Sequence, residues 1–420
     1  MSAIASFVSW FTGLGPTVMV PVVIIILGIL FRAGVAKSIR GGLVTGIGLA
    51  GLFMVVDVIV GALQPATAAI AQRLGLQLTL VDVGWTDCGI AWGWPGVAAV
   101  VIGTLVVNAI MIVLRLTKTL WTDIWSIWHG QVVAAFVWAA TGSLILGAAA
   151  GVLFLALGSI AADLAAPRHQ EFNNLPGIGV PCAVTWVGVI MNPVAELLRK
   201  IPVIKDIDAS PDSVKKKFGL FGELPVMGAV MGIIIGLLAG YKIADILGLA
   251  MKVATMMVLL PRMVSLLSEG LIPISIAVSE YLQERFGDRQ FNVGVDCAVL
   301  LGHPSVMASA VILYPLEVLL AAALPGNGIL PIASLALIPF WCGAVVPFTR
   351  GNVLHTVIIV LLWSIPVMYI ATAQAGVHTE TFKLMGQFTD KIQQGARFAS
   401  FDMGGDVIGA IILKVFTLFK

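Results

Sequence analysis

The stretch "GPTVMVPVVIIILGILF", Gly15 to Phe31, carries no charge, and runs of this kind recur along the chain. Each is close to the roughly 20 residues that cross a hydrocarbon core as helix. Lipid offers the backbone no hydrogen bonds, so a spanning segment must be a helix or part of a closed barrel. The runs lack the period-2 alternation of a barrel strand. Charged residues make up only 11% of the 420, against roughly 25% in soluble domains. The sequence therefore reads as an all-α polytopic membrane protein.

The opening "MSAIASFVSWFTGLGPTVMVP" has no basic segment and no small-residue cleavage site before its apolar run, so the first span is read as retained. Spans are expected near 16–33, 42–63, 96–114, 131–162 and 177–198. They are followed by "RKIPVIKDIDASPDSVKKKFG", Arg199 to Gly219, with six Lys/Arg against three Asp. Further spans are expected near 224–247, 248–268, 304–324, 329–348 and 353–375, with a final amphipathic stretch near 403–419. This divides the chain into a first repeat (1–198), a basic linker (199–219), a second repeat (220–375) and a polar segment with a C-terminal helix (376–420).

The repeat rests on spacing. "AWGWPGVAA" at Ala91–Ala99 shares the skeleton Gly-x-Pro-x-Val-x-Ala with "LLGHPSVMA" at Leu300–Ala308, and Trp94 stands where the later copy has His303. Gly93 to Gly302 is an offset of 209, and the same offset carries Gly13 and Pro16 onto Gly222 and Pro225. Five crossings per repeat is an odd number, so the halves are expected to be inverted. Arg32, Lys37 and Arg40, then Arg115 and Lys118, then the linker all fall on one side if the chain starts outside, and Lys/Arg-rich loops mark the cytoplasm. Ala66–Trp94 and Leu271–Gly302 are too polar to face lipid. Each is read as an amphipathic helix followed by a re-entrant hairpin, which is tolerated where protein buries it. Inverted repeats with paired broken segments point to a carrier that binds its solute near the midplane.

An ionisable residue at that depth is a candidate for function. "VDVGWTDCG" supplies Asp82, Trp85, Thr86 and Asp87, and "VGVDCAVLLGHP" supplies Asp296 and His303. Carboxylates accept hydrogen bonds from hydroxyls, imidazole donates and accepts, and an indole face packs on C–H surface. That inventory suits a polyol. Each residue also has a structural use: Asp82, Asp87 and Asp296 suit helix caps, and His303 suits a freed carbonyl next to Pro304. "DIWSIWHGQ" adds Asp123, Trp125, Trp128, His129 and Gln131, with an interfacial aromatic belt as the plain alternative. "NNLPGIGVPCAVTW" adds Asn173, Asn174, Cys182 and Thr185, or is a plain loop. Arg350, Asn352 and His355 in "FTRGNVLHT" lie near a span start and read as a cytoplasmic or interfacial anchor.

The four cysteines lie far apart with no C-x-x-C pair, so no metal site is expected and each reads as a small hydrophobe. H-E-x-x-H, G-x-S-x-G and G-x-x-x-x-G-K-[ST] are all missing. No cofactor and no catalysis by the chain alone are expected. A net charge of +2 without a compact basic patch gives no reason to expect nucleic acid.

At these residues the chain resembles the galactitol-type IIC permeases of the phosphoenolpyruvate-dependent sugar phosphotransferase system. The resemblance runs through "LGPTVMVPVVIIILG", "VDVGW", "DIWSIWH", "KKKFGLFGELPVMG", "LLPRM", "VGVDCAVLLGHP", "LPGNGILP" and "RGN". It implies a homodimeric subunit of the bacterial inner membrane that binds galactitol or a related alditol. Cytoplasmic IIA and IIB proteins then relay phosphate, and phospho-IIB phosphorylates the delivered sugar. Related ascorbate permeases imply a V-shaped scaffold and a core domain that moves as an elevator. By position, Asp296, His303 and His129 match family segments. One departure stands out: where the family commonly has Glu-Gly-Ile-x-Ile-Pro-His-Gly or a glutamine variant, "PGIGVPCAV" puts Pro176 at the acidic place and Cys182 at the His or Gln. A thiol is a weak donor, so the hydroxyl recognised there is expected to differ. The competing expectation is an ion-coupled secondary transporter in which Asp87, Asp296 and His303 carry protons. Uptake into sealed vesicles without phosphoenolpyruvate would favour it.

Overall fold

The computed structural model describes residues 10, 11, 14–75, 79–84, 87–202, 204, 207, 209, 216, 220, 223–287 and 290–418. Trp85, Thr86 and most of the basic linker lie outside these residues.

The chain is mostly helical. In order, its described elements include α1 (Pro16–Leu30), α2 (Val35–Arg73), β1 (Leu80–Asp82), α3 (Asp87–Gly93), α4 (Val97–Val113), β2 (Thr119–Trp121), α5 (Trp128–Thr141), α6 (Leu144–Asn173), β3 (Ile178–Gly179) and α7 (Thr185–Leu198). They continue with α8 (Leu224–Ala239), α9 (Ile243–Phe286), β4 (Asn292–Gly294), α10 (Pro304–Ala323), α11 (Ile338–Thr349), α12 (Val353–Leu384), α13 (Thr389–Gln393), β5 (Arg397–Ala399) and α14 (Val407–Thr417). Among the described residues, five stretches are long and apolar enough to cross a membrane: Val35–Val55, Leu144–Asn173, Ile243–Leu282, Pro304–Ala323 and Val353–Leu384.

Several expected boundaries move. The amphipathic helices expected after the second span of each half are continuations of α2 and α9, which run 39 and 44 residues without a break. Pro65 sits inside α2 and does not end it. The expected 131–162 span is two helices, because Gly142 at φ 72 closes α5 in the left-handed region that a side chain disfavours. The expected spans at 177–198 and 329–348 shorten to α7 and α11, since their Gly/Pro-rich starts hold β3 and a 3-10 turn (Ala333–Leu337) instead. The C-terminal segment does not stand apart: α12 crosses residue 375, and β5 pairs with β1.

In lipid, apolar surface alone does not drive helices together, and close contact between small residues carries association. The α2–α9 pair is built this way. A Cβ on Gly48 would run into the Leu267 nitrogen, and one on Gly270 would lie 2.5 Å from the Gly41 oxygen. The two backbones therefore approach directly at these glycines.

Among the described residues, two small parallel sheets sit between the helices. One has the order β2-β4-β3, with Leu120 opposite Val293 and Ile178 opposite Val293. The other pairs β1 with β5, and Leu80 also bridges to Ile329. Such short strands would not stand alone; here they join segments from both halves of the chain.

Candidate functional site: a carboxylate pocket at the ends of three parallel strands

Because β2, β3 and β4 run in the same direction, the segments leaving them converge at one edge. Asp123 and Ser126 follow β2, Cys182 follows β3, and Asp296 and Cys297 follow β4. Thr122 Oγ1 donates to the Gly294 oxygen at 2.6 Å and ties the exits of β2 and β4 together.

A relay of hydrogen bonds links these side chains. The Cys297 amide donates to Cys182 Sγ (3.2 Å), Cys182 Sγ and Ser126 Oγ lie 3.1 Å apart, and Ser126 Oγ donates to Asp296 Oδ2 (3.1 Å). Asp296 Oδ1 accepts from the Ala298 amide at 2.7 Å, as the capping reading expected. Asp123 Oδ1 accepts from the amides of Trp125 and Ser126, while its Oδ2 is buried and has no hydrogen-bond partner among the described residues. One turn on, buried His129 donates from Nδ1 to the Ser126 oxygen (2.9 Å) and stacks on Trp128.

Asp123 and Asp296 line one inner pocket of about 20 Å³, room for about one water. Its far wall comes from α1, α2 and α9: Val20, Ile24, Thr45, Leu49, Leu267 and Leu271. Val299 lines this pocket and also a larger outer chamber of about 500 Å³. That chamber carries Asn173, Asn174, Ser265, Ser268, Glu269 and His303. His303 Nδ1 accepts from the Ser305 amide at 3.2 Å and so caps α10, while its ring lies 4.6 Å from Phe172.

The structure thus brings Asp296 and Cys182 together, places His129 beside them, and puts Asn174 and His303 in the adjoining chamber. Three other candidates are engaged elsewhere. Asp87 is fully buried, accepting from His378 Nε2 at 2.7 Å and from Ser400 Oγ. Gln131 accepts from Trp94 Nε1 (2.7 Å) and donates to the Val97 oxygen (3.0 Å). Asp82 accepts from Ser334 and the Gly84 amide. Trp85 and Thr86 lie outside the described residues.

Two residues escaped the sequence reading. Ser126 bridges Cys182 and Asp296, yet one serine between tryptophans gives no signal. Glu317, fully buried in α10 and accepting from Ser364 at 2.7 Å, was legible as an acid inside the apolar run "LYPLEVLL".

Residues 10–391 match the family described as the PTS system sugar-specific permease component. The chain is 36% identical over 407 residues to the galactitol-specific EIIC component of the PTS system of Escherichia coli strain K12, covering 96% of this chain and 89% of the relative. The same figures hold for the galactitol-specific EIIC component of Escherichia coli O157:H7. The chain belongs to the galactitol-type IIC permease family of the sugar phosphotransferase system. It is a multi-pass membrane protein.

Proposed function

We propose that the permease binds galactitol or a related alditol between Asp123 and Asp296, and carries it across the bacterial inner membrane for phosphorylation by phospho-IIB. The observation that carries this reading is the stranded Asp123 Oδ2. A buried acceptor without a donor costs about 1–3 kcal/mol, and buried acceptors in native proteins are otherwise almost always satisfied. A polyol hydroxyl supplies the missing donor, and adjacent hydroxyls reach both carboxylates. The inner pocket holds about one water in this conformation, so a solute enters only when the walls separate; the outer chamber is the approach.

The position of the pocket supports an elevator. Helices α1, α2, α8 and α9 pack on one another and form the scaffold in this reading. The inner pocket lies where α1, α2 and α9 meet the segments after β2 and β4, and the outer chamber where α9 meets the end of α6 and the segment after β4. A core that slides along α9 would open the pocket on one side and then the other.

Element spacing supports the inverted repeat. Adding 209 to the bounds of α4 gives 306–322, against Pro304–Ala323; to α5, 337–350, against Ile338–Thr349; to α6, 353–382, against Val353–Leu384. The same shift carries Asp87 onto Asp296 and His169 onto His378. Both sheets then share one plan, in which the strand before the acidic residue lies between partners from the other half. A homodimer with the scaffold at its interface completes the proposal. The basic linker and the cytoplasmic face receive IIB.

The test is equilibrium binding of radiolabelled galactitol to the purified permease. Asp296→Asn and Asp123→Asn are each expected to weaken binding about tenfold or more, the size of one charged hydrogen bond, while the protein stays monodisperse. Unchanged affinity in both variants rejects the site.

A further inference from the structure

Beyond the outer chamber the structure opens a third space of about 610 Å³, walled by Arg168, Glu171, Phe172, Glu196, Arg199 and Arg350 among others. Phe172 belongs to both this space and the outer chamber. The junction is tight: the position of a Cβ on Gly351, next to Arg350, lies 3.4 Å from the His303 ring and 3.4 Å from the Phe172 ring. Neighbouring cavities in this series therefore share a wall, at Val299 and then at Phe172.

The third space differs in chemistry from the first two. Three guanidinium groups face two carboxylates, and the carboxylate of Glu196 is already engaged by Arg168 (3.3 Å) and Arg199. Arg168 is fixed further by Asn192 and by its place over the Phe348 ring, 4.9 Å from the centroid. Arg199 donates to the Phe348 oxygen at 2.6 Å. These contacts hold two planar forks in place before any ligand arrives. Arg350 is different. It ends α11 at φ 54, where its backbone N–H donates to the Val346 oxygen, and it is exposed; its guanidinium makes no hydrogen bond or ion pair among the described residues.

The geometry points to a phosphate monoester site in this arginine chamber, which receives the phosphorylated solute after it leaves the carboxylate pocket. The inference rests on the polyol reading above. A neutral polyol gains little from guanidinium groups, whereas a phosphate monoester carries about −1.5 to −2 charges near neutral pH and matches the arginine fork in a bidentate manner. The same charge makes return past Asp296 and Asp123 unfavourable, so the two chambers sort the solute by its phosphorylation state. All the walls of the chamber come from α6, from α7 with Arg199 after it, and from α11 with Arg350 after it, so it would travel with the core and stay beside the solute during transport.

The experiment uses the full-length permease in phosphatidylcholine nanodiscs, with galactitol and galactitol 1-phosphate as separate calorimetric probes. Arg350→Gln is expected to lower galactitol 1-phosphate affinity about tenfold or more, as for one charge-assisted contact, and to leave galactitol affinity unchanged. Arg350→Lys, which keeps the charge and loses the fork, is expected to fall between. Equal galactitol 1-phosphate affinity in wild type and Arg350→Gln overturns the assignment. So does a parallel loss of galactitol affinity, which would mean general damage. Loss of the Arg350 effect when phosphatidylglycerol replaces part of the lipid would assign the chamber to a headgroup. Slower phosphorylation by phospho-IIB with unchanged galactitol 1-phosphate affinity would assign it to the partner's phosphate. Failure of the wild type to bind galactitol at all would instead sink the functional reading beneath it.

Discussion

Replacing Asp87 separates a structural pin from a ligand. Its carboxylate accepts from His378 Nε2 on α12 and from Ser400 Oγ after β5, and all three side chains are fully buried. Asp87→Ala strands both donors. At about 1–3 kcal/mol for each buried donor left unpaired, the loss is about 2–6 kcal/mol, enough to loosen α3 and the β1–β5 pairing. Asp87→Asn keeps one acceptor oxygen, and about half that loss is expected. Thermal unfolding of the purified protein, followed by tryptophan fluorescence, gives the stability, and labelled galactitol counts the binding sites that remain folded. The expected result is a clearly lowered melting temperature for Asp87→Ala, a smaller drop for Asp87→Asn, and near-normal galactitol affinity in the surviving Asn variant. An unchanged melting temperature with abolished binding would refute this reasoning and restore Asp87 as a solute ligand.

Other outcomes follow from the same contacts. Cys182→Ala removes the acceptor for the Cys297 amide and interrupts the path to Asp296, so galactitol affinity and stability should both fall, the latter by about 1–3 kcal/mol; Cys182→Ser should retain most of each, as read by calorimetry and melting. Cys182 is 1% exposed, so a maleimide should label it slowly, and saturating galactitol should slow it further; fast labelling that ignores galactitol would place the thiol outside the pocket. Gly270→Leu should drive α2 and α9 apart, because even a Cβ there meets the Gly41 oxygen and Thr45 Oγ1, and a lower melting temperature and loss of monodispersity should report it. Trp94→Phe keeps the ring but strands Gln131 Oε1, and a loss of about 1–3 kcal/mol is expected without a change in galactitol affinity.

Apolar runs made the helices legible, because the bilayer requirement acts on each segment by itself. Where an element depends on distant partners, the sequence is silent. Strands of two or three residues become strands only through partners such as Val293 for Ile178 and Leu120, more than 100 residues away. Gly142 passed for one more small residue in a Gly-rich run, because φ is a property of the folded turn. The site shows the same division. Asp296 and Cys182 stand at broken, polar places in apolar sequence, so they were identified as candidates. Asp87 looked the same, because a buried carboxylate gives one signal whether it serves a solute or His378, 291 positions on. Asp123 was visible within "DIWSIWHGQ", but only the structure sets it beside Asp296 with an unpaired oxygen.

The central claim is that the two carboxylates at the ends of β2 and β4 hold the solute. A structure of the permease solved with galactitol tests it most directly. Galactitol hydroxyls are expected within hydrogen-bonding distance of Asp123 Oδ2 and Asp296, in a pocket widened by movement of the core along α9. Galactitol seated on Asp87, or remote from both Asp123 and Asp296, would contradict it.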